Sequence, residues 1–102
     1  MGQINDLTEK AYKTAVEHGW YEVPVSFAEE IALCHSELSE ALQEYREGGF
    51  STRKDKIAEE LADTVIRIFT VSSRHQFDLE SAILSKMEKN IHRPYRHGGK
   101  LA

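Results

Sequence analysis

Several features are scarce or absent in this 102-residue chain, and each absence excludes a class of protein. The single cysteine, Cys34, rules out an internal disulfide and favours a reducing compartment. No apolar run approaches the roughly 18 residues that a membrane-spanning helix needs. Asn5, Asp6 and Glu9 interrupt any apolar segment of a signal peptide. The net charge of −4 gives no basic surface for a nucleic-acid polymer. We therefore expect a cytoplasmic protein that uses neither membrane nor nucleic acid as a partner.

Helical periodicity dominates the chain, and no alternating strand pattern stands out. Ser26 and Glu29 form a capping box that predicts the start of the second helix. The third helix is apolar over most of its circumference, which is typical of a helix in a central position. Four segments are predicted: about Asn5 to His18, Phe27 to Gly48-Gly49, Arg53 to His75, and Asp78 to Pro94.

These segments predict an all-α subunit of four antiparallel helices. The length suits one domain, residues 1–102, with a basic C-terminal tail at residues 93–102. Because helices this short enclose little core of their own, partner subunits are expected.

Two carboxylate pairs are the main chemical signal in the sequence. Glu37 and Glu40 lie three residues apart on the second predicted helix, and Glu60 and Asp63 on the third. Residues with this spacing share a helical face. If the helices pack side by side, four anions converge, and they repel one another unless a cation neutralises them. Oxygen-only ligation suits Mg²⁺, with Mn²⁺ as a substitute.

The residues alone also allow alternatives to a magnesium site. The second helix by itself also fits a solvated acidic face, which Glu30, Glu44 and Glu47 share. On the third helix, an ion pair between Asp63 and Arg67 explains part of the polar strip, but it leaves Glu60 unexplained. A di-iron bundle is disfavoured because no histidine follows a glutamate by three residues.

Phosphate chemistry needs positive groups as well as a metal. Lys86, Asn90 and Arg93 fall on one polar face of the fourth helix, and Lys54 opens the third. A solvated face is the alternative for any one of them. No P-loop and no Gly-x-Gly-x-x-Gly motif is present.

The ordered motifs resemble those of MazG-type nucleotide pyrophosphohydrolases, which belong to the all-α NTP pyrophosphatase superfamily. Trp20 lies where dCTP pyrophosphatase-like members also carry a tryptophan. The resemblance extends from about Ala15 to Lys100. The matching segments are ELSE (37–40), EELAD (59–63), SKMEKN (85–90) and RPY (93–95).

The resemblance implies a helical homodimer or homotetramer that hydrolyses a nucleoside triphosphate between the α and β phosphates. The products are the nucleoside monophosphate and pyrophosphate. Carried onto this sequence, the four carboxylates would bind Mg²⁺, and Glu37 or Glu40 would act on the attacking water. Arg67 departs from the family, in which the position is often apolar or aromatic and can face the nucleotide. The implied substrate contacts are Trp20, Lys54, Arg67, Lys86, Asn90 and Arg93.

Two other functions remain open from the sequence. One is a relative specialised for another nucleotide, such as dUTP or phosphoribosyl-ATP. The other is a non-catalytic helical module for oligomerisation or nucleotide binding. Intact carboxylates at all four positions argue against the second of these.

Overall fold

Four α-helices make up the computed structural model, which describes residues 2–95. They are α1 (Gln3–Glu17), α2 (Phe27–Thr52), α3 (Lys54–Arg74) and α4 (Leu79–Ile91). Within residues 2–95 there is no strand, so the all-helical prediction is confirmed. The predicted basic tail lies largely outside the described residues, because residues 96–102 are not among them. No helix in the described range is both long and apolar enough to cross a bilayer.

The helix α2 begins where the capping box predicts and is interrupted at the predicted glycine pair. The Ser26 side chain accepts a hydrogen bond from the backbone N–H of Glu29, which caps the first turn. Gly49 then breaks the helix at φ 61°, ψ −159°, but the chain resumes a helical turn as far as Thr52. In that last turn the side chains of Ser51 and Thr52 both donate to the carbonyl of Gly48. The glycine pair therefore ends the regular part of α2, as the sequence predicts, and a separate short helical turn follows it.

The helix α4 is shorter than predicted, and its first turn contacts α1. Asp78 caps it by accepting from the backbone N–H of Ser81, as its position in the sequence predicts. The helix ends at Ile91 rather than at Pro94, since the residue before a proline is disfavoured in helical conformation. Glu80 accepts a hydrogen bond from the backbone N–H of Ile4, at the first turn of α1. This junction joins α4 to α1.

The helix α3 occupies the centre of the described chain and packs against both α2 and α1. Glu30, Glu37 and Glu44 along α2 contact His75, Arg67 and Arg53 respectively. In these three contacts, residue numbers therefore increase along α2 while they decrease along α3 and the residues at its two ends.

The single chain buries little apolar surface. Among the described residues, the only buried hydrophobic ones are Ala41 and Val71. The apolar face of α2 and α3, by contrast, is open to solvent, with Leu42 48% exposed. This apolar face consists of Ile31, Leu38, Leu42, Tyr45, Leu61, Val65 and Ile68. The expectation that α3 is buried on several sides is therefore not met by one chain alone.

Candidate metal centre and adjoining pocket

Three carboxylates from two helices converge near the middle of the α2–α3 pair. Glu37, Glu60 and Asp63 each place one oxygen within 4.8 Å of the other two. The i, i+3 spacing on α3 puts Glu60 and Asp63 on one side of that helix, and packing against α2 adds Glu37. Glu37 and Glu60 are half-buried and Asp63 is exposed. This arrangement offers hard oxygen ligands to a cation from one open direction.

Glu60 is the most strongly perturbed member of this cluster. Its pKa is raised from 4.5 to about 7. The main cause is the adjacent carboxyl group of Glu40, with which Glu60 can share a proton. Desolvation and the negative charges of Glu40, Asp63 and Glu37 add to it. The Glu60 Oε2 atom is also buried without a hydrogen-bond partner in the described chain.

These observations test whether the residues fit a divalent cation. A buried carboxylate oxygen without a partner is costly, and clustered anions repel one another. A cation among Glu37, Glu60 and Asp63 relieves both problems, and the all-oxygen donor set suits Mg²⁺. The fourth predicted ligand, Glu40, is exposed, lies beside Glu60 and is not part of the group of three.

Arg67 joins the carboxylates to an aromatic side chain. Its Nε atom donates to Glu37 Oε1 at 2.9 Å, and its guanidinium carbon lies 4.5 Å from the ring centroid of Trp20. Its ion pair in the described structure is thus with Glu37 across the helix interface rather than with Asp63 on its own helix. Sequence spacing alone cannot identify such a partner.

A pocket of about 730 Å³ adjoins the carboxylates, between α1, α2, α3 and the connection after α1. Its walls include Trp20 and Arg67, together with Glu37 and Asp63 from the carboxylate cluster. The volume lies in the range of small-molecule sites. The pocket therefore places an aromatic surface, the Arg67 guanidinium and carboxylate oxygens around one space.

The pocket also contains residues that sequence reasoning missed, and it omits others that were expected. Lys10 from α1, Tyr21 and Glu30 line it, although none was proposed as a substrate contact. For Glu30, the only signal was its place on the acidic side of α2. The expected contacts that do not line the pocket are Lys54, Lys86, Asn90 and Arg93. The last three belong to α4 and the segment after it, which contribute no residue to the lining of this pocket.

Glu30 organises a polar network about two helical turns before Glu37. It is 4% exposed, and it accepts from the Tyr21 hydroxyl at 3.0 Å and from Arg74 at 2.9 Å. The His75 Nε2 atom lies 2.9 Å from the same carboxylate. Burial opposes ionisation of Glu30, but the hydrogen bonds from His75, Tyr21 and Arg74 outweigh it, and its pKa is lowered. Burial and the Glu30 carboxylate raise the pKa of Tyr21 to about 12, so the phenol stays a donor.

Comparison with known proteins gives one match. Residues 26–97, more than half of the chain, match the model of the MazG nucleotide pyrophosphohydrolase domain. No curated protein and no solved structure matches the chain significantly.

Proposed function

This chain belongs to the MazG nucleotide pyrophosphohydrolase family, and we propose that it hydrolyses a nucleoside triphosphate, ribo or deoxy, at the α–β bond. The products are the nucleoside monophosphate and pyrophosphate. The observation that carries the proposal is the cluster of Glu37, Glu60 and Asp63 at the edge of the pocket that Trp20 lines. The matched region, 26–97, contains all three carboxylates.

In this proposal Glu37, Glu60 and Asp63 hold Mg²⁺, which Mn²⁺ can replace, and Glu40 lies beside them. The ion supplies positive charge for the phosphates and a bound water of lowered pKa. Glu40 is the better of the two candidate bases. It is exposed and outside the group of three, whereas Glu37 belongs to that group and serves as a ligand in this proposal. Glu40 orients the attacking water and accepts its proton.

The pocket residues then bind the rest of the nucleotide. Trp20 offers an aromatic surface for the base. Arg67 and Lys10, which line the pocket within one chain, supply positive charge for the phosphates. These contacts position the triphosphate with its α phosphorus near the carboxylates.

The assembly is a homodimer or homotetramer of these subunits, each one antiparallel domain spanning residues 1–102. Three observations support a partner copy. The apolar face of α2 and α3 is exposed, and so is the apolar side of α4, where Ile91 is 72% exposed. The radius of gyration is 16.3 Å, against about 13 Å for a compact chain of this length.

A cytoplasmic location fits a nucleotide substrate.

A partner copy also explains the substrate contacts that one chain leaves out. Lys86, Asn90 and Arg93 carry the family's pattern but do not line the pocket of their own chain. In the assembly, these basic and amide groups reach the triphosphate of a neighbouring subunit. Lys54, which is exposed at the first turn of α3, is a further contact in the proposal.

The test is pyrophosphate release from a panel of (d)NTPs with and without Mg²⁺. A variant carrying Glu60→Gln and Asp63→Asn serves as the inactive comparison. Glu59→Gln is the matched control, because Glu59 is an exposed neighbour on the same helix. We expect metal-dependent pyrophosphate release that the double variant loses and the control keeps.

Each other outcome contradicts a defined part of the proposal. Release of single phosphates contradicts cleavage at the α–β bond. Activity on dUTP or phosphoribosyl-ATP alone restricts the substrate to that nucleotide. A folded wild type without activity on any nucleotide favours a non-catalytic binding module.

A further inference from the structure

One guanidinium in this protein serves two sites at once. The Arg67 Nε atom donates to Glu37, a carboxylate of the candidate metal centre, while the guanidinium carbon lies 4.5 Å from the Trp20 ring centroid. The Arg67 and Glu37 side chains are only 23% and 15% exposed, so water screens the contact weakly. The arginine therefore occupies the space between the carboxylates and the aromatic wall of the pocket.

We propose that Arg67 couples the metal centre to the nucleotide pocket: divalent-cation binding at Glu37 releases Arg67 and uncovers the face of Trp20. This inference rests on the proposed function, since it assigns a task to a residue of the same site. It makes Arg67 a positioning residue whose place depends on whether the carboxylates carry a cation.

Electrostatics supplies the driving force for this coupling. Without a metal, the guanidinium is the cation that offsets the charge of Glu37. A divalent ion among Glu37, Glu60 and Asp63 neutralises Glu37 in place of the guanidinium. It also repels the guanidinium, because like charges separated by a few ångströms in a half-buried site interact strongly. The ion pair with Glu37 weakens, and Arg67 loses the contact that holds it over Trp20.

The released side chain changes the pocket in two ways. The indole face becomes available for a base to stack on, and the guanidinium becomes available to an anionic phosphate, which arginine binds in a forked geometry. Because binding linkage is reciprocal, a ligand that takes the place of Arg67 on Trp20 also frees Glu37 for the cation. The same side chain thereby favours a protein that carries metal and nucleotide together.

The chain contains a reporter for this movement. Trp20 is its only tryptophan, so intrinsic fluorescence reports on the ring that Arg67 covers. Acrylamide quenching measures how accessible that ring is. The experiment uses the full chain without nucleotide, titrated with MgCl₂, and isothermal titration calorimetry measures the binding of the metal independently.

For the wild type we expect Mg²⁺ to raise the acrylamide quenching constant of Trp20, with the same midpoint as the calorimetric binding curve. In Arg67→Met the quenching constant should already be high without metal and should not respond to it. Mg²⁺ alone should bind this variant about fivefold more tightly or better, because no cation competes for Glu37. Arg53→Met removes an ion pair with Glu44 elsewhere on the same helix pair and should behave as the wild type does.

Far-UV circular dichroism and the melting temperature establish that each variant is folded. Mg²⁺ binding to the wild type without a change in quenching overturns the coupling and leaves the proposed function intact. So does an equal response in Arg67→Met, since a direct effect of the ion on the indole would survive that substitution. Absence of Mg²⁺ binding in the wild type, together with absence of pyrophosphate release, overturns the metal centre itself.

Discussion

Glu60 connects the metal centre to pH at the scale of a single residue. Its pKa of about 7 in the metal-free protein lies well above the ordinary 4.5. A carboxyl group with a raised folded-state pKa contributes stability that is complete below its ordinary pKa and is lost as pH rises through the folded value. Metal-free protein should therefore become less stable between about pH 4.5 and pH 7 through this group. A metal ion compensates for that loss.

The first prediction follows from the need to deprotonate Glu60 for ligation. Mg²⁺ binding should release protons at pH 6, and its apparent affinity should rise from pH 6 to pH 8. Calorimetry in buffers of different ionisation enthalpy measures the protons released. Glu60→Gln should abolish proton release and weaken binding, while Glu59→Gln should change neither. A pH-independent affinity in the wild type would contradict the assignment of Glu60 as a ligand.

Glu30, like Glu60, has a pKa that its surroundings in the folded protein shift. It is 4% exposed and is kept ionised by hydrogen bonds from His75, Tyr21 and Arg74. The sequence placed Glu30 only on an acidic side of α2. Burial of a carboxylate requires partners, and those partners come from the loop before α2 and from the end of α3.

The second prediction concerns stability in acid. Glu30→Gln should lower the free energy of unfolding near neutral pH by about 2–3 kcal/mol, because Arg74 loses its charged partner. Since the folded-state pKa of Glu30 is lowered from 4.5, its contribution is present above about pH 4.5 and is lost as pH falls through the folded value. Urea denaturation from pH 3 to pH 7 should show a smaller loss of stability in acid for the variant. An exposed control, Glu9→Gln, should retain the wild-type profile.

At the scale of elements, the end of α2 shows what local signals predict and where they fail. The paired glycines mark a break, and Gly49 adopts φ 61°, ψ −159°. That conformation is accessible essentially only to glycine. The helical turn that follows depends on hydrogen bonds from the side chains of Ser51 and Thr52, which composition alone does not reveal.

The third prediction tests this backbone conformation. Gly49→Ala should destabilise the protein by about 1–3 kcal/mol. The cause is conformational rather than steric, because a Cβ at this position meets no atom within 4 Å. Urea denaturation measures the loss. Ser51→Ala, which removes one side-chain hydrogen bond from the same turn, is the comparison and should cost about 1 kcal/mol. Equal stability of Gly49→Ala and the wild type would show that Gly49 does not adopt this conformation.

At the scale of the whole molecule, the described chain leaves much of its apolar surface exposed. It buries few hydrophobic residues, and its apolar face on α2 and α3 faces solvent. Monomeric proteins rarely expose continuous apolar surface of this kind. The sequence predicted a partner for the same physical reason, since short helices in one subunit enclose little core.

The fourth prediction tests whether the apolar face is the contact between copies. Leu42→Glu places a charge on that face, and burying an unpaired carboxylate opposes association. Sedimentation velocity should show the wild type as a dimer or tetramer and the variant as a smaller species. Val23→Glu, in the connection between α1 and α2, is the control and should assemble normally. A wild type that sediments as a monomer would contradict the assembly, and dissociation of both variants would contradict the choice of face.

The sequence by itself determined the four helices, the N-caps of α2 and α4, the family motifs and the pairing of Glu60 with Asp63 on one side of α3. All of these depend on residues close together in the chain, where spacing alone decides which side chains are neighbours. Only the tertiary structure decided that Glu37 joins those two while Glu40 lies outside the group of three. It also decided that Arg67 pairs with Glu37 rather than Asp63, and that α4 stays away from the pocket of its own chain. These outcomes depend on the rotation and register of one helix against another. Rotation and register are decided by the packing of side chains that are far apart in sequence, so local spacing does not reveal them.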